Sequence, residues 1–288
     1  MSPRIALATA REVADLDPEG QQLADELRSQ GATAEAAVWD ATDVDWRAFD
    51  LVVVRSTWDY ASRVAEFLAW AERVSEVTRI ENSLPLLRWT TDKHYLRDLD
   101  RAGVPVVPSL FVEPGQDAAH DLLGAEHVAK PAVSAGSKDT LRLGPAEHDR
   151  SLEHVGALLA QGRSVLVQPY LSDVDDAGET ALVFVDGVFS HAIRKGALLE
   201  QGAGLVDGLF AEEDIRARDA SPAELSIGEA AMAALPSDGR PLYARVDLLP
   251  TPHGPVVLEL ELAEPSLFLD HAPGSAQRLA AAALRRVG

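Results

Sequence analysis

Two glutamates, Glu259 and Glu261, stand two positions apart in an otherwise apolar run near the carboxyl end of the chain. Side chains at this spacing on a β-strand project from the same face, and Asp247 on the preceding predicted strand could face them. Three carboxylates on one face would repel one another unless a hard divalent cation lies between them, and oxygen ligands of this kind suit Mg²⁺. An ordinary antiparallel sheet with one solvated face explains the same alternation, and the pattern does not decide between the two interpretations.

A lysine followed by small residues is the second candidate for chemistry. Lys130 lies in a predicted strand, His127–Pro131, and the residues from there to Lys138 are mostly small. Such a loop can present a cation and several backbone N–H groups to a polyphosphate. Small-residue turns also occur where no ligand binds, so this motif is weak by itself. The candidate phosphate ligands are Lys130, Ser134, Gly136 and Ser137.

Two further strand ends carry hydrogen-bonding groups. A predicted strand at 164–168 runs into a segment whose backbone groups could form hydrogen bonds with the edge of an adenine base. The candidate adenine-binding residues are Gln168, Pro169, Tyr170 and Leu171. Leu51–Val54 is a continuous apolar run, as expected for a strand covered on both faces. Open α/β sheets bind ligands at the carboxyl ends of their strands, although aromatic residues there could equally be packing. The resulting substrate candidates are Arg55, Ser56, Thr57, Trp58, Asp59 and Tyr60.

The elements that must position these residues begin with a parallel α/β unit over roughly residues 1–85. Strands are predicted at 5–8, around 37–39 and at 51–54, and helices at 18–30 and 63–77. Alternation of this kind is typical of a parallel sheet. The loop after the first strand, Thr9–Glu12, has no glycine that would admit a pyrophosphate, which argues against a dinucleotide-dependent dehydrogenase.

From about residue 105 the pattern changes to short strands and tight turns. Asp186-Gly187 separates two apolar strands and predicts a two-residue hairpin turn. A second hairpin crosses Thr251–Gly254, and a final helix is predicted at 275–286. The glycine-rich segment Gly196–Gly208 is predicted to be a mobile loop that closes over the site as a lid.

Composition excludes several classes of protein. The net charge of −20 argues against nucleic-acid binding, which needs clustered Lys and Arg. The absence of Cys excludes disulfides, thiolate metal sites and cysteine nucleophiles. No apolar run approaches the roughly 20 residues that span a bilayer, and the start of the chain lacks a secretory pattern. We therefore expect a cytoplasmic protein of two or three domains.

In this order the motifs resemble the ATP-grasp superfamily, and its glutathione-synthetase-like branch in particular, over nearly the whole chain. The resemblance implies ATP and Mg²⁺ as cofactors. It also implies a fold that combines α/β and α+β parts: an N-terminal parallel α/β (pre-ATP-grasp) domain at 1–104, and two α+β subdomains at 105–171 and 172–288 that clasp ATP. The implied site residues are the phosphate-binding Lys93 and Lys130, the adenine hinge at Gln168–Leu171, the acidic Glu179, and the metal ligands Asp247, Glu259 and Glu261.

The last metal pair departs from the family pattern. That pattern is usually Glu-x-Asn, whereas this chain has Glu259-Leu260-Glu261, which adds negative charge and leaves the role of Glu261 open. Arg194 resembles the family arginine that stabilises the acyl phosphate. Arg245 lies two residues from Asp247 and could face the same site. For either arginine, the alternative is a surface ion pair with one of the abundant acids.

Two strings of residues, Arg55–Tyr60 and Leu262–Phe268, resemble the ATP-grasp group that contains the cyclo-ligase of D-cycloserine biosynthesis. In that group the substrate is O-ureido-D-serine, whose nucleophile lies in the same molecule as the activated carboxyl group. The resemblance implies a ligase that forms an acyl phosphate on an amino-acid-like carboxylate and then a C–N bond. A small-molecule kinase and a non-catalytic nucleotide sensor are the alternatives. No nucleic-acid or membrane partner is expected, and the chain could form a homodimer.

Overall fold

The computed structural model describes residues 2–118, 124–196, 214–236 and 240–287. The segment predicted as a lid lies outside these ranges except for Gly196. Within them the chain forms three four- or five-stranded sheets. The first is parallel and the other two are antiparallel, which confirms the predicted combination of α/β and α+β parts. None of the described helices is long and apolar enough to cross a membrane.

The first sheet has the strand order β2-β1-β3-β4. Its strands and the helices between them are β1 (Arg4–Thr9), α1 (Pro18–Ser29), β2 (Thr33–Val38), β3 (Leu51–Val54), α2 (Val64–Ser75) and β4 (Arg79–Glu81). All four residues of β3 are buried, as its unbroken apolar run predicts. Asp17 starts α1 by accepting the backbone N–H of Glu19 at 3.2 Å, and Pro18 fits the first helical position.

Two short helices that the sequence patterns did not reveal lead from the first sheet to the second. They are α3 (Leu84–Thr90) and α4 (Tyr95–Arg101). Lys93 lies in the turn between them, and its backbone N–H donates to the carbonyl of Ala132 at 2.9 Å. This contact holds the lysine beside the small-residue loop that follows Lys130.

The second sheet is antiparallel, with the order β5-β8-β6-β7. Its elements are β5 (Leu110–Val112), β6 (His127–Pro131), β7 (Leu141–Leu143), α5 (His148–Ala160) and β8 (Val165–Pro169). Helix α5 covers one face of the sheet with Val155 and Leu158. Strands β6 and β8 are antiparallel, and His127 at the start of β6 pairs with Pro169 at the end of β8, so the hinge segment leaves the sheet beside the start of β6.

The third sheet has the order β11-β10-β9-β12-β13. Its elements are α6 (Asp173–Ala177), β9 (Glu179–Val185), β10 (Val188–Lys195), β11 (Ile215–Arg218), α7 (Pro222–Ala233), β12 (Tyr243–Leu249) and β13 (Val256–Glu261). The hairpin between β9 and β10 turns at Asp186-Gly187, where both residues have positive φ, as a type I′ turn requires.

The last helix, α8 (Ser275–Arg285), joins the first and third sheets into one core. Its Leu279 is fully buried together with Leu23 of α1 and Val183 of β9. The final segment of the chain thus packs against the N-terminal unit, although it follows the third sheet in sequence. The loop between β13 and α8 is thereby held close to the carboxyl end of the first sheet, where Trp58 donates from Nε1 to the carbonyl of Glu264 at 3.3 Å.

Candidate active site

A cavity of about 430 Å³ brings together residues of the second and third sheets and of the loop that follows β3 in the first sheet. Its wall includes the loop after β3, the small-residue loop, the hinge segment, and the facing strands of the third sheet. A volume of this size is typical of small-molecule sites. The chemistry of the wall differs between its apolar and charged parts.

The apolar part is formed by a cluster of buried and half-buried side chains on the hinge and the third sheet: Val107, Tyr170, Leu171, Val174, Leu249 and Leu258. Gln168, Pro169, Tyr170 and Leu171 all line the cavity, where the predicted adenine hinge was expected. The Tyr170 ring lies under the Arg142 guanidinium, 3.4 Å from its centroid, and its hydroxyl donates to Asp175. Gln168 donates from Nε2 to the Ser109 hydroxyl at 3.0 Å.

The charged part begins with two buried lysines and one glutamate. The ammonium of Lys130 donates to Oε1 of Glu259, and Nζ of Lys93 lies 3.9 Å from the same oxygen. Lys93 also donates to the carbonyl and the hydroxyl of Ser134 at 3.0 and 3.1 Å. Burial opposes ionisation of Glu259, but Lys130 and then Lys93 outweigh it and hold the pKa of that carboxyl well below its usual range. The same burial lowers the pKa of Lys93.

A second ionic cluster lies on β12 and β13. The Arg245 guanidinium forks over Asp247, with Nε and Nη2 each 2.9 Å from a carboxylate oxygen, and Nη2 also donates to Glu261 at 2.6 Å. Burial works against ionisation of Asp247, yet Arg245 and Lys195 lower its pKa. Burial raises the pKa of Glu261, and the nearby Asp247 charge adds to this.

The three carboxylates predicted as one metal site share a face, but they do not meet at one point. Strand register sets Asp247 opposite Glu259 and Arg245 opposite Glu261. Among the residues that the structure describes, no three acidic or histidine side chains are close enough to hold a metal ion. Lysine and arginine partners relieve the predicted repulsion among these carboxylates. The donor set still consists of hard oxygens, which suits Mg²⁺ once those partners are shared with phosphates.

Arg194, which was predicted to stabilise the acyl phosphate, is not part of the cavity wall, whereas its neighbour Lys195 is. Arg194 donates to the carbonyls of Ala177 and Asp176 at 2.7 and 3.1 Å, on the other face of β10. Lys195 lies opposite Glu179 in the β9–β10 ladder and forms ion pairs with Glu179 and, at 2.9 Å, with Asp247.

The alternation of side chains along β10 explains why Lys195, and not Arg194, lies in the cavity wall. Glu179 was predicted to face the site, and a residue directly across a ladder shares its face, so the register selects Lys195 and not its neighbour. Glu179 itself lines the cavity as predicted. Burial raises the pKa of Glu179 to about 7, against the influence of Lys195.

Only two of the six predicted substrate residues line the cavity, namely Trp58 and Tyr60. The others, Arg55, Ser56, Thr57 and Asp59, lie outside its wall. The Arg55 guanidinium pairs with Glu19 at 3.4 Å and lies over the ring of Tyr243, at 5.3 Å from its centroid.

The remaining three of the six residues are Ser56, Thr57 and Asp59, and they too lie within the N-terminal unit. Ser56 donates to Asp17, and Asp59 accepts from the indole of Trp39 at 2.8 Å. The hydroxyl of Thr57 is buried. These residues therefore support the loop, while the aromatic side chains of Trp58 and Tyr60 reach the cavity.

The small-residue loop lines the cavity with Ser134, Gly136 and Ser137, as predicted. Gly136 and Ser137 adopt left-handed conformations with φ of 60° and 57°. Thr140, which the sequence did not single out, also lines the cavity, and its buried hydroxyl has no hydrogen-bond partner within the described part of the chain. An unpaired buried hydroxyl in the same cavity wall as Lys93 and Lys130 fits a phosphate oxygen.

The other polar and aromatic cavity residues that sequence reasoning did not assign lie on α3 and α4 and in the loop after β13: Thr90, Tyr95, Glu264, Ser266 and Phe268. Tyr95 holds β13 in place, because its hydroxyl accepts the backbone N–H of Leu260 at 2.8 Å. The string Leu262–Phe268 was noted for its resemblance, and that was the only available signal for its four cavity residues, Ala263, Glu264, Ser266 and Phe268.

Comparison with known proteins agrees with this arrangement. Residues 5–82 match the family described as D-cycloserine synthetase DcsG, N-terminal domain. The chain is 42% identical to the cycloserine biosynthesis protein DcsG of Streptomyces lavendulae, over 98% of each chain. The crystal structure of D-cycloserine synthetase DcsG is 40% identical, covers 99% of this chain and 100% of its own, and gives a TM-score of 0.91.

A more distant likeness concerns the fold alone. D-alanine–D-alanine ligase from Bacillus anthracis, solved in complex with ATP, shares 16% identity, covers 99% of this chain and 97% of its own, and gives a TM-score of 0.69. The identity and coverage of the DcsG relatives are sufficient to decide the family. The chain therefore belongs to the D-cycloserine synthetase family of ATP-grasp ligases.

Proposed function

We propose that this protein uses ATP and Mg²⁺ to activate the carboxylate of an amino-acid-like substrate as an acyl phosphate and then forms a C–N bond. The substrate that we propose is O-ureido-D-serine, so that bond formation closes a ring. One observation carries the proposal: in a chain of net charge −20, four buried cations converge on the wall of a single cavity, Lys93, Lys130, Lys195 and Arg245. Four buried cations on one wall can bind a triphosphate and a carboxylate when these anions take the place of the carboxylates that now pair with them.

ATP would bind with its adenine against the apolar cluster at the hinge and its phosphates toward the lysines. The backbone of the segment from Gln168 to Leu171 would contact the adenine edge. Ser134 and Thr140 offer hydroxyls, and Gly136 with Ser137 brings backbone N–H groups close to the cavity. The arrangement therefore supports an adenine subsite and a phosphate subsite within one cavity.

Asp247, Glu259 and Glu261 would hold Mg²⁺, which when bound neutralises charge on the phosphates. In the described structure the ammonium groups of Lys130 and Lys93 form ion pairs with the Glu259 carboxylate. A triphosphate would compete for these two ammonium groups, and Glu259 would then be available as a ligand. The lysines thus keep the acidic face compatible with folding before nucleotide binds.

The second half of the reaction would use Arg245 and Lys195. The substrate carboxylate oxygen attacks the γ-phosphorus and ADP leaves; the nucleophilic nitrogen then attacks the acyl carbon, the C–O bond to phosphate breaks, and nitrogen gives up a proton. Negative charge develops on the acyl oxygen in the second step. Arg245 is oriented by Asp247 and Lys195 by Asp247 and Glu179, so both can donate to that oxygen without large rearrangement.

A kinase would share the nucleotide subsite but release a phosphorylated product, and a sensor would bind ATP without turnover. We expect ADP release with O-ureido-D-serine and trapping of the acyl phosphate as a hydroxamate when hydroxylamine is added. ADP release without hydroxamate, or tight ATP binding without ADP release across ureido-amino acids, would contradict the proposal. The domain division at 1–104, 105–171 and 172–288, the cytoplasmic location and the homodimer stay predictions.

A further inference from the structure

Glu264 differs from every other carboxylate in the cavity wall. It lies three residues after β13, is only 7% exposed, and lines the cavity. The four other acids of the wall, Glu179, Asp247, Glu259 and Glu261, each pair with a lysine or arginine within 4 Å. Within the described ranges no lysine, arginine or histidine forms such a pair with Glu264. A buried carboxylate without a cation is costly, so this position is suited to a ligand that brings one.

The surroundings of Glu264 are aromatic. The Trp58 indole donates to its backbone carbonyl at 3.3 Å, and the Tyr60 side chain lines the same cavity. Burial, followed by the nearby Glu261 charge, raises the pKa of Glu264 to about 8, and Lys93 counteracts this only in part. A carboxyl group beside aromatic rings is an environment that attracts ammonium groups, both by direct pairing and by cation–π attraction.

We propose that Glu264 binds the ammonium group of a zwitterionic amino-acid substrate and thereby selects substrates with a free α-amino group. The inference rests on the proposed function and deepens it. The Arg245 guanidinium donates from Nη1 to the carbonyl of Ser266 at 3.1 Å, so one short loop positions both Glu264 and the arginine assigned to the substrate carboxyl. An α-amino acid carries its two charges on adjacent carbons and can therefore meet both groups together.

The test compares two substrates and two variants. O-ureido-D-serine and 3-(ureidooxy)propanoate, which lacks only the α-amino group, are assayed for ADP release with the parent, Glu264→Gln and Glu76→Gln. Glu76 is an exposed glutamate at the end of α2 and serves as the matched control. Thermal unfolding of each protein checks that it is folded at the assay temperature.

We expect Glu264→Gln to lower kcat/KM for O-ureido-D-serine roughly ten- to hundredfold. The KM for ATP should stay unchanged. For 3-(ureidooxy)propanoate, kcat/KM should stay within about twofold of the parent. Equal losses on both substrates would mean that Glu264 is structural, and no loss on either would mean that it does not touch the substrate; each result overturns the inference. Failure of the parent to release ADP with O-ureido-D-serine is a different outcome, which rejects the proposed function and this inference with it.

Discussion

At the scale of single residues, positive charge is placed in the cavity mainly by lysine. The chain has four lysines, at positions 93, 130, 138 and 195, and three of them are buried in the cavity wall. Each of these three lysines forms an ion pair with a carboxylate of the cavity wall. A phosphate must therefore compete with protein carboxylates for its ligands, and replacing a lysine removes a phosphate contact and a counter-ion together.

Lys130→Ala and Lys93→Ala should each weaken ATP binding by about 1.5–3 kcal/mol, because each removes a charge-assisted contact to phosphate. Isothermal titration with ATP and Mg²⁺ measures this as a rise in Kd. Lys138→Ala is the matched control, since that lysine belongs to the same loop but is exposed and outside the cavity wall. Unchanged Kd values for both buried-lysine variants would place the phosphate site elsewhere.

Glu259→Gln should destabilise the protein without ligands by about 3 kcal/mol, because it leaves the Lys130 and Lys93 ammonium groups buried without their counter-ion. If the three carboxylates only repelled one another, Glu259→Gln would cause no loss of stability. A measured loss therefore shows that Glu259 acts as the counter-ion of the two lysines. Urea unfolding in the absence of nucleotide and Mg²⁺ measures it. The same variant should need a much higher Mg²⁺ concentration for turnover.

The same residue makes stability depend on pH in a defined direction. Since the folded-state pKa of Glu259 is lowered from 4.5, its stabilising effect is fully present above that pH and is lost as the pH falls below it. The parent should therefore lose more stability than Glu259→Gln between about pH 5 and pH 3. Parallel curves for the two proteins over this range would show that Glu259 is not held ionised by its lysines.

At the scale of elements, the ladders of the third sheet decide which side chains share the cavity. Adjacent residues on β10 face opposite ways, so a shift of one position would exchange Arg194 for Lys195. The β9–β10 register pairs Glu179 with Lys195, and the β12–β13 register pairs Asp247 with Glu259. Four strands thus present their charged side chains to a single face, and the neighbouring strand positions stay outside it.

Lys195→Met should lower kcat at least a hundredfold, as expected when one donor to a developing oxyanion is removed, whereas Arg194→Met should stay within about threefold of the parent. The KM for ATP and the unfolding temperature of both variants are measured alongside. The reverse order, with activity lost in Arg194→Met and kept in Lys195→Met, would mean that the register places the wrong residue in the site.

The sequence predicts features that lie within one continuous segment well, but it predicts strand register and ion pairs between distant segments poorly. The hinge from Gln168 to Leu171 follows directly from a strand end, and β3 from an unbroken apolar run, so both lie where expected. Lys195 required the register of a ladder, which no local pattern contains. The short helices α3 and α4 carry too few turns for a clear periodicity, and the ion pair of Glu259 with Lys130 joins segments 129 residues apart.

At the scale of the whole molecule, charge is distributed unevenly. The chain has 46 acidic residues against 26 lysines and arginines, yet the cavity wall gathers three lysines and Arg245. Helix α8 ties the first and third sheets together through one core, so the loop that carries Glu264 and Ser266 is fixed relative to both. An anionic substrate thus meets buried cations within an acidic protein, and it must compete for them with the carboxylates of the cavity wall.

The transfer of oxygen from substrate to phosphate tests the central claim most directly. O-ureido-D-serine labelled with ¹⁸O in both carboxyl oxygens is turned over with ATP and Mg²⁺, and the released inorganic phosphate is analysed by mass spectrometry. Activation as an acyl phosphate predicts one ¹⁸O atom in each phosphate, because the C–O bond breaks when nitrogen attacks, while the second ¹⁸O stays in the product carbonyl. Unlabelled phosphate, or a phosphorylated substrate that retains its label without releasing phosphate, would contradict the account.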